Sequence, residues 1–290
     1  MKRLLILSGK GGTGKTTTAA AFLHFAGARA MADCDVDAPN LHLLLSRKEE
    51  PEISDFLGGD KAVIDPEKCV GCGLCQKYCR FNAIRVGKSG CFEIDEFACE
   101  GCGVCQHVCP VGAVILHEDV AGTKRLFAGD TVFSTAELKM GRGNSGKLVS
   151  EVKLAMLKNA PECDLAIVDG SPGIGCPVIA SVSGMDLVLI VAEPSRSGAS
   201  DLKRLLRTAE TFQTRVAVCV NKYDLSPQNT ACIEEFCRAE NVPFVGKIPY
   251  DKTASQAINA GKSLAEIPCP AGEALKNIFE QIMNLLEIKM

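Results

Sequence analysis

Tryptophan is absent from the 290 residues and aromatic residues make up only 5%, too few ring faces for base stacking to be the main activity. Neither sign of charge dominates. Thirty-two Lys and Arg stand against 35 Asp and Glu, a net charge of −3. That balance does not suggest a nucleic-acid or anionic-membrane binder, although a local basic patch is compatible with it; no nucleic-acid partner is expected. Long apolar runs are lacking as well. None approaches the roughly 18 consecutive apolar residues that read as a bilayer span. Met1-Lys2-Arg3 leads into only Leu4-Leu5-Ile6-Leu7 before the first glycines, too short for a signal-peptide core. The expectation is a cytoplasmic chain with no stable membrane insertion. Hydrophobic and charged fractions of 47% and 23% match ordinary globular usage and exclude disordered and fibrous classes.

What the chain has in excess is cysteine, with 16 copies. A chain of this length can build its own core without bridges, and cytoplasmic thiols stay reduced, so clustered cysteines point to metal. Cys69, Cys72, Cys75 and Cys79 form C-x₂-C-x₂-C-x₃-C. Cys99, Cys102, Cys105 and Cys109 repeat the spacing, followed by Pro110. Four thiolates also satisfy tetrahedral zinc, the competing metal, but zinc sites pair two separated C-x₂-C knuckles and do not need a third cysteine at the same interval.

The texture of the chain places this repeat in an insert. Short, continuously apolar runs at Lys2–Leu7, Ala28–Asp33, Leu165–Asp169, Leu187–Ala192, Val216–Asn221 and Pro243–Ile248 read as buried strands. Helical patterns alternate with them over Ala19–Phe25, Gly146–Lys158, Ala199–Phe212, Thr230–Ala239 and Ala271–Leu286. Such alternation implies an α/β domain with a mostly parallel sheet covered on both faces. Between Lys61 and Glu118 helical periodicity vanishes and glycine is frequent. The expected organisation is 1–60 and 119–290 as two parts of one domain, with 61–118 inserted. On the C-terminal helix, Leu275, Ile278, Phe279, Ile282, Leu285 and Leu286 form one stripe; Glu273, Glu280 and Glu287 outweigh Lys276 around it, which favours packing on the sheet over a membrane surface.

The first strand runs into Gly9-Lys10-Gly11-Gly12-Thr13-Gly14-Lys15-Thr16. Gly9, Gly11 and Gly14 satisfy G-x-G-x-x-G, with Asp33 about 20 residues further on, as a dinucleotide site would require. Lys15 and Thr16 decide against that reading, because they complete G-x-x-x-x-G-K-[ST]. In such a loop the glycines let backbone N–H groups wrap phosphates, Lys15 reaches the β- and γ-phosphates, and the Thr16 hydroxyl binds Mg²⁺. A second acid at the end of a buried strand should complete the magnesium shell, and Asp169 is so placed, ahead of Gly170-Ser171-Pro172-Gly173. Asp33, Asp35 and Asp37 follow the second strand, where they can orient water or the magnesium shell; Asp37, before Pro39, reads instead as a helix cap. Asn221-Lys222-Tyr223-Asp224 fits N-K-x-D, with which GTPases read guanine through the final Asp, so GTP stands as the alternative nucleotide.

With Lys10 inside KGGTGKT, and with DCDVD, VDGSPG, VNKYD and IPYD, the chain resembles the MinD/ParA-type ATPases with a deviant phosphate loop, relatives of the nitrogenase iron protein and the Mrp-type cluster carriers. The resemblance covers residues 1–57 and 123–290. It implies a P-loop ATPase that closes as an ATP-dependent homodimer, Lys10 reaching the other subunit's ATP. Lys10, Lys15, Asp35 and Asp169 would be the catalytic residues. Gly9 to Thr17, through Gly11, Gly12, Thr13, Gly14 and Thr16, would hold the nucleotide phosphates, Asn221 and Pro249 would contact the adenine, and Thr16 and Asp169 would hold Mg²⁺.

The cysteine repeat is similar to the two-cluster bacterial ferredoxins, in which the fourth cysteine of each run ligates the other cluster. That resemblance implies one [4Fe–4S] cluster on Cys69, Cys72, Cys75 and Cys109, and a second on Cys99, Cys102, Cys105 and Cys79. Arg80 stands after Cys79 where Pro110 follows Cys109, and His107 is expected at the surface. Cys34, Cys91, Cys163, Cys219, Cys232, Cys237 and Cys269 lack ligand spacing and are expected to be buried small hydrophobes. Cys176 stands at the place where the iron protein holds a cluster between subunits, but without that family's second ligand; a structural or transient thiol is the favoured reading over a shared intersubunit cluster. The function expected from both resemblances is an ATP-switched dimer that couples nucleotide state to electron transfer or metallocluster assembly on a redox or metallocluster protein partner. The alternatives are a positioning ATPase with redox-sensing clusters, an electron carrier with vestigial nucleotide binding, and a GTPase.

Overall fold

A computed structural model describes residues 1–45, 49–87 and 90–288. Positions 46–48, 88–89 and 289–290, which fall inside the three expected segments, lie outside the described residues. The chain begins with β1 (Lys2–Leu7), α1 (Lys15–Ala26), β2 (Ala30–Asp33) and β3 (Glu52–Ile64). It continues through α2 (Leu74–Tyr78), β4 (Ile84–Val86), β5 (Phe92–Ile94), α3 (Val104–His107), β6 (Val114–Phe127) and β7 (Val132–Leu138). There follow α4 (Ser145–Asn159), β8 (Leu165–Asp169), α5 (Cys176–Val182), β9 (Leu187–Ala192), α6 (Arg196–Thr211) and β10 (Arg215–Asn221). The last elements are α7 (Pro227–Ala239), β11 (Phe244–Ile248), α8 (Lys252–Asn259) and α9 (Pro270–Leu286).

Two compact units result: residues 1–53, 124–137 and 145–290 form one, and residues 54–123 with 138–144 the other. In the larger unit β1 lies between β8 and β9 in parallel register, Leu4 opposite both Ile167 and Leu187. Its strand order runs 11-10-9-1-8-2-7, and β2 pairs in parallel with both β8 and β7. Side chains alternate across a strand. Leu4 and Ile6 enter one cluster with Phe22, Leu189, Leu275 and Phe279, while Leu5 and Leu7 are equally buried on the opposite face. This two-sided cover is why the central strands read as unbroken apolar runs. Phe279 meets Phe22 edge-on at 5.2 Å and Phe25 at 5.8 Å between ring centroids. The α9 stripe is buried at Leu275, Ile278, Phe279, Ile282 and Leu286, so it is spent on the core. Among the described residues no helix is long and apolar enough to cross a membrane.

The smaller unit has a hairpin, β4 against β5 with Ile84 opposite Ile94, and two helices of four and five residues. Its buried cluster is Ala62, Cys75, Ala83, Ile84, Phe92, Cys99, Cys105 and Val114. The short helices cannot display a 3.6-residue period. The strand β3 carries Gly58-Gly59 and two aspartates, residues with low strand preference, so its neighbours and not its composition decide that it is extended.

Two sequence expectations are corrected. Asp37 is exposed; Asp33 takes the role expected of it, its carboxylate accepting the Asn40 and Leu41 N–H groups at 3.0 Å each, where the 3₁₀ turn Leu41–Leu44 begins. Of the cysteines expected to be buried, Cys34, Cys219, Cys237 and Cys269 are, but Cys91 and Cys163 are half-buried and Cys232 is exposed. The buried face of α7 runs through Thr230, Ile233 and Cys237, and Cys232 lies off that stripe.

Candidate functional site

The turn from β1 into α1 is held by its own backbone and by a distant amide. The Ser8 hydroxyl donates to the Lys10 carbonyl at 2.9 Å, and Asn221 Nδ2 donates to the Thr13 carbonyl at 2.7 Å. Gly14 sits at φ 96° and a Cβ there would come within 2.3 Å of Asn221 Nδ2, so both conformation and contact require glycine. No side chain caps the N-terminus of α1, and its first turn has no acidic residue. Its leading N–H groups and the positive end of its dipole therefore suit an anion.

Lys15 is buried and its Nζ has three oxygen neighbours: Asp169 Oδ1 at 2.8 Å, Thr16 Oγ1 at 3.3 Å and Asp35 Oδ2 at 3.5 Å. Burial alone would lower the Lys15 pKa, but Asp169 and Asp35 outweigh it and raise it. Asp33 and Asp169 are register partners on β2 and β8. Burial, then the Asp169 charge, pushes the Asp33 carboxyl up to about 7, against the N–H donors of Leu41 and Asp35. Asp169 Oδ2 is buried with no hydrogen-bond partner. Lys10 forms an ion pair with Glu193, just past β9.

Gly12, Gly14, Thr17, Asn221, Pro249 and Tyr250 line one cavity beside the phosphate loop. Asn221 and Pro249 are thus brought together, but the Asn221 amide also serves as a tie, its Oδ1 accepting the Lys222 N–H at 2.9 Å. Asp224 Oδ1 accepts the Tyr250 N–H at 2.8 Å, which engages the carboxylate that N-K-x-D chemistry would aim at a guanine. The loop after β8 is stitched to this site: Gly173 N–H donates to the Ser8 carbonyl at 3.0 Å, and Ser171 Oγ donates to the Cys34 carbonyl. Cys176 opens α5 and is exposed.

The other end of α5 shows a residue that the sequence analysis missed. Lys153 Nζ donates to the carbonyls of Ala180, Ser181 and Ser183 at 2.6, 2.9 and 2.6 Å. Burial lowers its pKa to about 8. A signal was available: Lys153 shares the inward stripe of α4 with Leu148, Val149, Val152 and Met156. Glu193, by contrast, carries no motif, and only the folded chain pairs it with Lys10.

In the smaller unit the eight repeat cysteines sort into two cavities. Cys69, Cys72, Cys75 and Cys109 line one; Cys79, Cys99, Cys102 and Cys105 line the other. The loops that present them turn at corresponding glycines with positive φ, Gly71 and Gly73 at 68° and 74°, Gly101 and Gly103 at 62° and 76°. Backbone N–H groups point at two of these sulfurs: Ala113 to Cys109 Sγ at 3.2 Å and Ala62 to Cys99 Sγ at 3.5 Å. The N–H groups of Phe92 and Gly71 hold the Cys69 thiol below the ordinary thiol range. Burial pushes Cys75 and Cys105 up. Among the described residues no three His, Cys, Asp or Glu side chains gather as they would around a single metal ion. His107 is exposed.

Residues 4–264 match the CobQ/CobB/MinD/ParA nucleotide-binding domain family. The chain belongs to that family. An uncharacterised protein of Methanocaldococcus jannaschii is 31% identical over 98% of this chain and 97% of its own length. An iron–sulfur cluster carrier protein of Pyrococcus abyssi is 24% identical over 98% of this chain and 86% of its own. Among solved structures, the septum site-determining protein MinD of Pyrococcus horikoshii, complexed with Mg-ADP, aligns with a TM-score of 0.59 at 17% identity, over 98% of this chain and 96% of that one. The fold is that of the MinD/ParA P-loop ATPases, and relatives of this chain are iron–sulfur carriers.

Proposed function

We propose that the protein is an ATP-hydrolysing iron–sulfur protein, an ATP-switched homodimer that couples nucleotide state to electron transfer or metallocluster assembly on a partner protein. Residues 61–118 would carry two [4Fe–4S] clusters, and 1–60 with 119–290 would form the ATPase domain. The observation that carries this reading is the sorting of eight cysteines into two four-thiol cavities within a chain of this nucleotide-binding family. The donor set fits cubane clusters: four cysteines line each cavity, three of them from one C-x₂-C-x₂-C run and the fourth from the other run.

The phosphate site likewise fits magnesium. The Lys15 ammonium stands among Thr16 Oγ1, Asp35 Oδ2 and Asp169 Oδ1, a cation within the oxygen set a metal would use, and Asp169 Oδ2 is a buried acceptor still to be satisfied. Thr16 and Asp169 would hold Mg²⁺, which supplies neutralisation of phosphate charge, as the clusters supply one-electron chemistry. The chain's own part is to wrap the phosphates with the N–H groups of Gly9 to Thr17, to swing Lys15 from the two aspartates onto the β- and γ-phosphates, and to orient water with Asp35. Lys10 would leave Glu193 for the ATP of the partner subunit. ATP is favoured over GTP because Asp224 is engaged by Tyr250. Anaerobic purification tests the reading: about eight irons per chain and an ATP-dependent dimer are expected, whereas stoichiometric zinc, or a monomer with and without ATP, would count against it.

A further inference from the structure

The loop that leads from β8 to α5 is tied down at its middle, by Gly173 N–H on the Ser8 carbonyl and by Ser171 Oγ on the Cys34 carbonyl. Its two ends are held differently. At the first, Asp169 stands in register with Ile6 and Asp33 on the neighbouring strands, and Gly170 N–H donates to the Ile6 carbonyl at 2.9 Å. At the second there is only α5. That helix has seven residues, about two turns, too few to persist on intrinsic preference. Its last turn carries no basic residue of its own, so the negative end of its dipole and its final carbonyls need a partner from another element.

Helix α4 supplies it. Gly146 lies against the first residue of α5: a Cβ at that position would stand 3.3 Å from the Cys176 carbonyl oxygen and 3.4 Å from the Cys176 Cβ. Lys153 follows Gly146 by seven residues, as Ser183 follows Cys176, so the two helices run side by side in one direction. Lys153 Nζ reaches the Ala180, Ser181 and Ser183 carbonyls at 2.6, 2.9 and 2.6 Å. An ammonium has three N–H donors, and each finds one carbonyl. Only 6% of Lys153 is exposed. A cation so buried is costly without compensation, and three carbonyl dipoles at a helix end provide it. The seam thus grips α5 at both ends.

We propose that Lys153 is a positioning residue for ATP hydrolysis: by holding the carbonyl end of α5 it fixes the far end of the 170–175 loop, and with it the grip of Ser171 on Cys34. This rests on the ATPase reading above. Cys34 immediately precedes Asp35, the carboxylate assigned to the attacking water, and Ser8 immediately precedes the phosphate loop. Lys153 does not line the cavity beside that loop. It acts through α5, Ser171 and Cys34 on the placement of Asp35, whereas the phosphates are bound by Lys15 and the N–H groups of Gly9 to Thr17. Its loss should therefore be felt in the chemical step and not in nucleotide affinity.

The test is single-turnover hydrolysis of bound ATP by the full chain, with ATP affinity measured separately by calorimetry. Lys153→Met should slow hydrolysis about tenfold, the scale on which small misplacements of reacting groups are felt, and leave affinity nearly unchanged. Lys153→Arg, which keeps the charge, should recover part of the rate. Ser171→Ala should be slow as well. The double variant Lys153→Met with Ser171→Ala should lose little more than the slower single variant, because the two residues act in series. Gly146→Ala crowds the Cys176 end of the same seam and should also slow hydrolysis, which keeps the test open where Lys153→Met does not fold. A wild-type rate in Lys153→Met, or in Gly146→Ala where the former does not fold, would overturn the proposal. So would losses that multiply independently in the double variant, since Lys153 would then support the fold without acting through Ser171. Wild-type protein that hydrolyses no ATP overturns the ATPase reading instead.

Discussion

The nucleotide unit and the cysteine-rich unit reach stability by different routes. In the first, Leu4, Ile6, Phe22, Ile167, Leu189 and Ile282 are part of one cluster spread over strands and helices, and buried charges find partners there: Lys15 with Asp169 and Asp35, Asp33 with three N–H groups. In the second, three of the eight buried core residues are Cys75, Cys99 and Cys105. Small domains with so little apolar surface need staples. Side chains that would be ligands are also the core there, so metal and fold are one question in that unit and two separate questions in the other.

The largest expected effect separates the units outright. Cys75→Ala and Cys105→Ala should each lose iron and cut amide exchange protection across residues 54–123 on the order of 100-fold, while β1, β8 and β9 keep theirs. Hydrogen exchange by mass spectrometry reads this, and equal loss in both units would break the comparison. Next in size is the nucleotide unit's own dissection. Lys15→Ala should weaken ATP binding about 100-fold, the equivalent of one charge-assisted contact of about 3 kcal/mol, with iron content unchanged. Lys10→Ala should bind ATP nearly as wild type yet fail to dimerise. Calorimetry and light scattering distinguish the two.

A smaller effect concerns pH. Asp33 is raised to about 7 from an ordinary 3.8, so between those values the folded chain holds a proton that the unfolded chain has released. Its contribution to stability therefore falls as pH rises through that window and levels off above it. Asp33→Asn should flatten the wild-type slope by roughly 1–3 kcal/mol across pH 4–7, read from denaturant midpoints; a slope unchanged by the substitution would show that the carboxyl is ionised throughout. Smallest of all, Asp224→Ala should alter the ATP-to-GTP affinity ratio by less than about threefold, whereas a guanine-reading aspartate would be worth about tenfold or more.

The legible parts of this chain are those whose cause is local. The strands β1, β8 and β9 occupy Lys2–Leu7, Leu165–Asp169 and Leu187–Ala192, as the apolar runs predict, because burial on both faces removes any polar alternation. Helix ends shift more: α1 begins at Lys15 and not at Ala19, since the phosphate-loop residues that read as turn already carry the first helical turn. β3, β6, β7, α5 and α8 carry no clear sequence period. Their residues are mixed in polarity, and what makes them regular is the neighbour each one meets.

By itself the sequence determined a phosphate loop between a buried strand and a helix, an acid ending another buried strand, and eight thiols at ligand spacing. These are patterns over a few residues, where backbone geometry and side-chain chemistry leave little choice. Tertiary structure decided that Asp33 and not Asp37 secures the turn before Leu41, that Lys10 rests on Glu193, that Lys153 holds the end of α5, and that Asp224 is bound to Tyr250. Each of these pairs residues far apart in the chain, or chooses among equivalent neighbours. The choice is made by burial: a charge or polar group taken out of water must find a partner, and which partner is within reach is known only once the strands have been laid side by side.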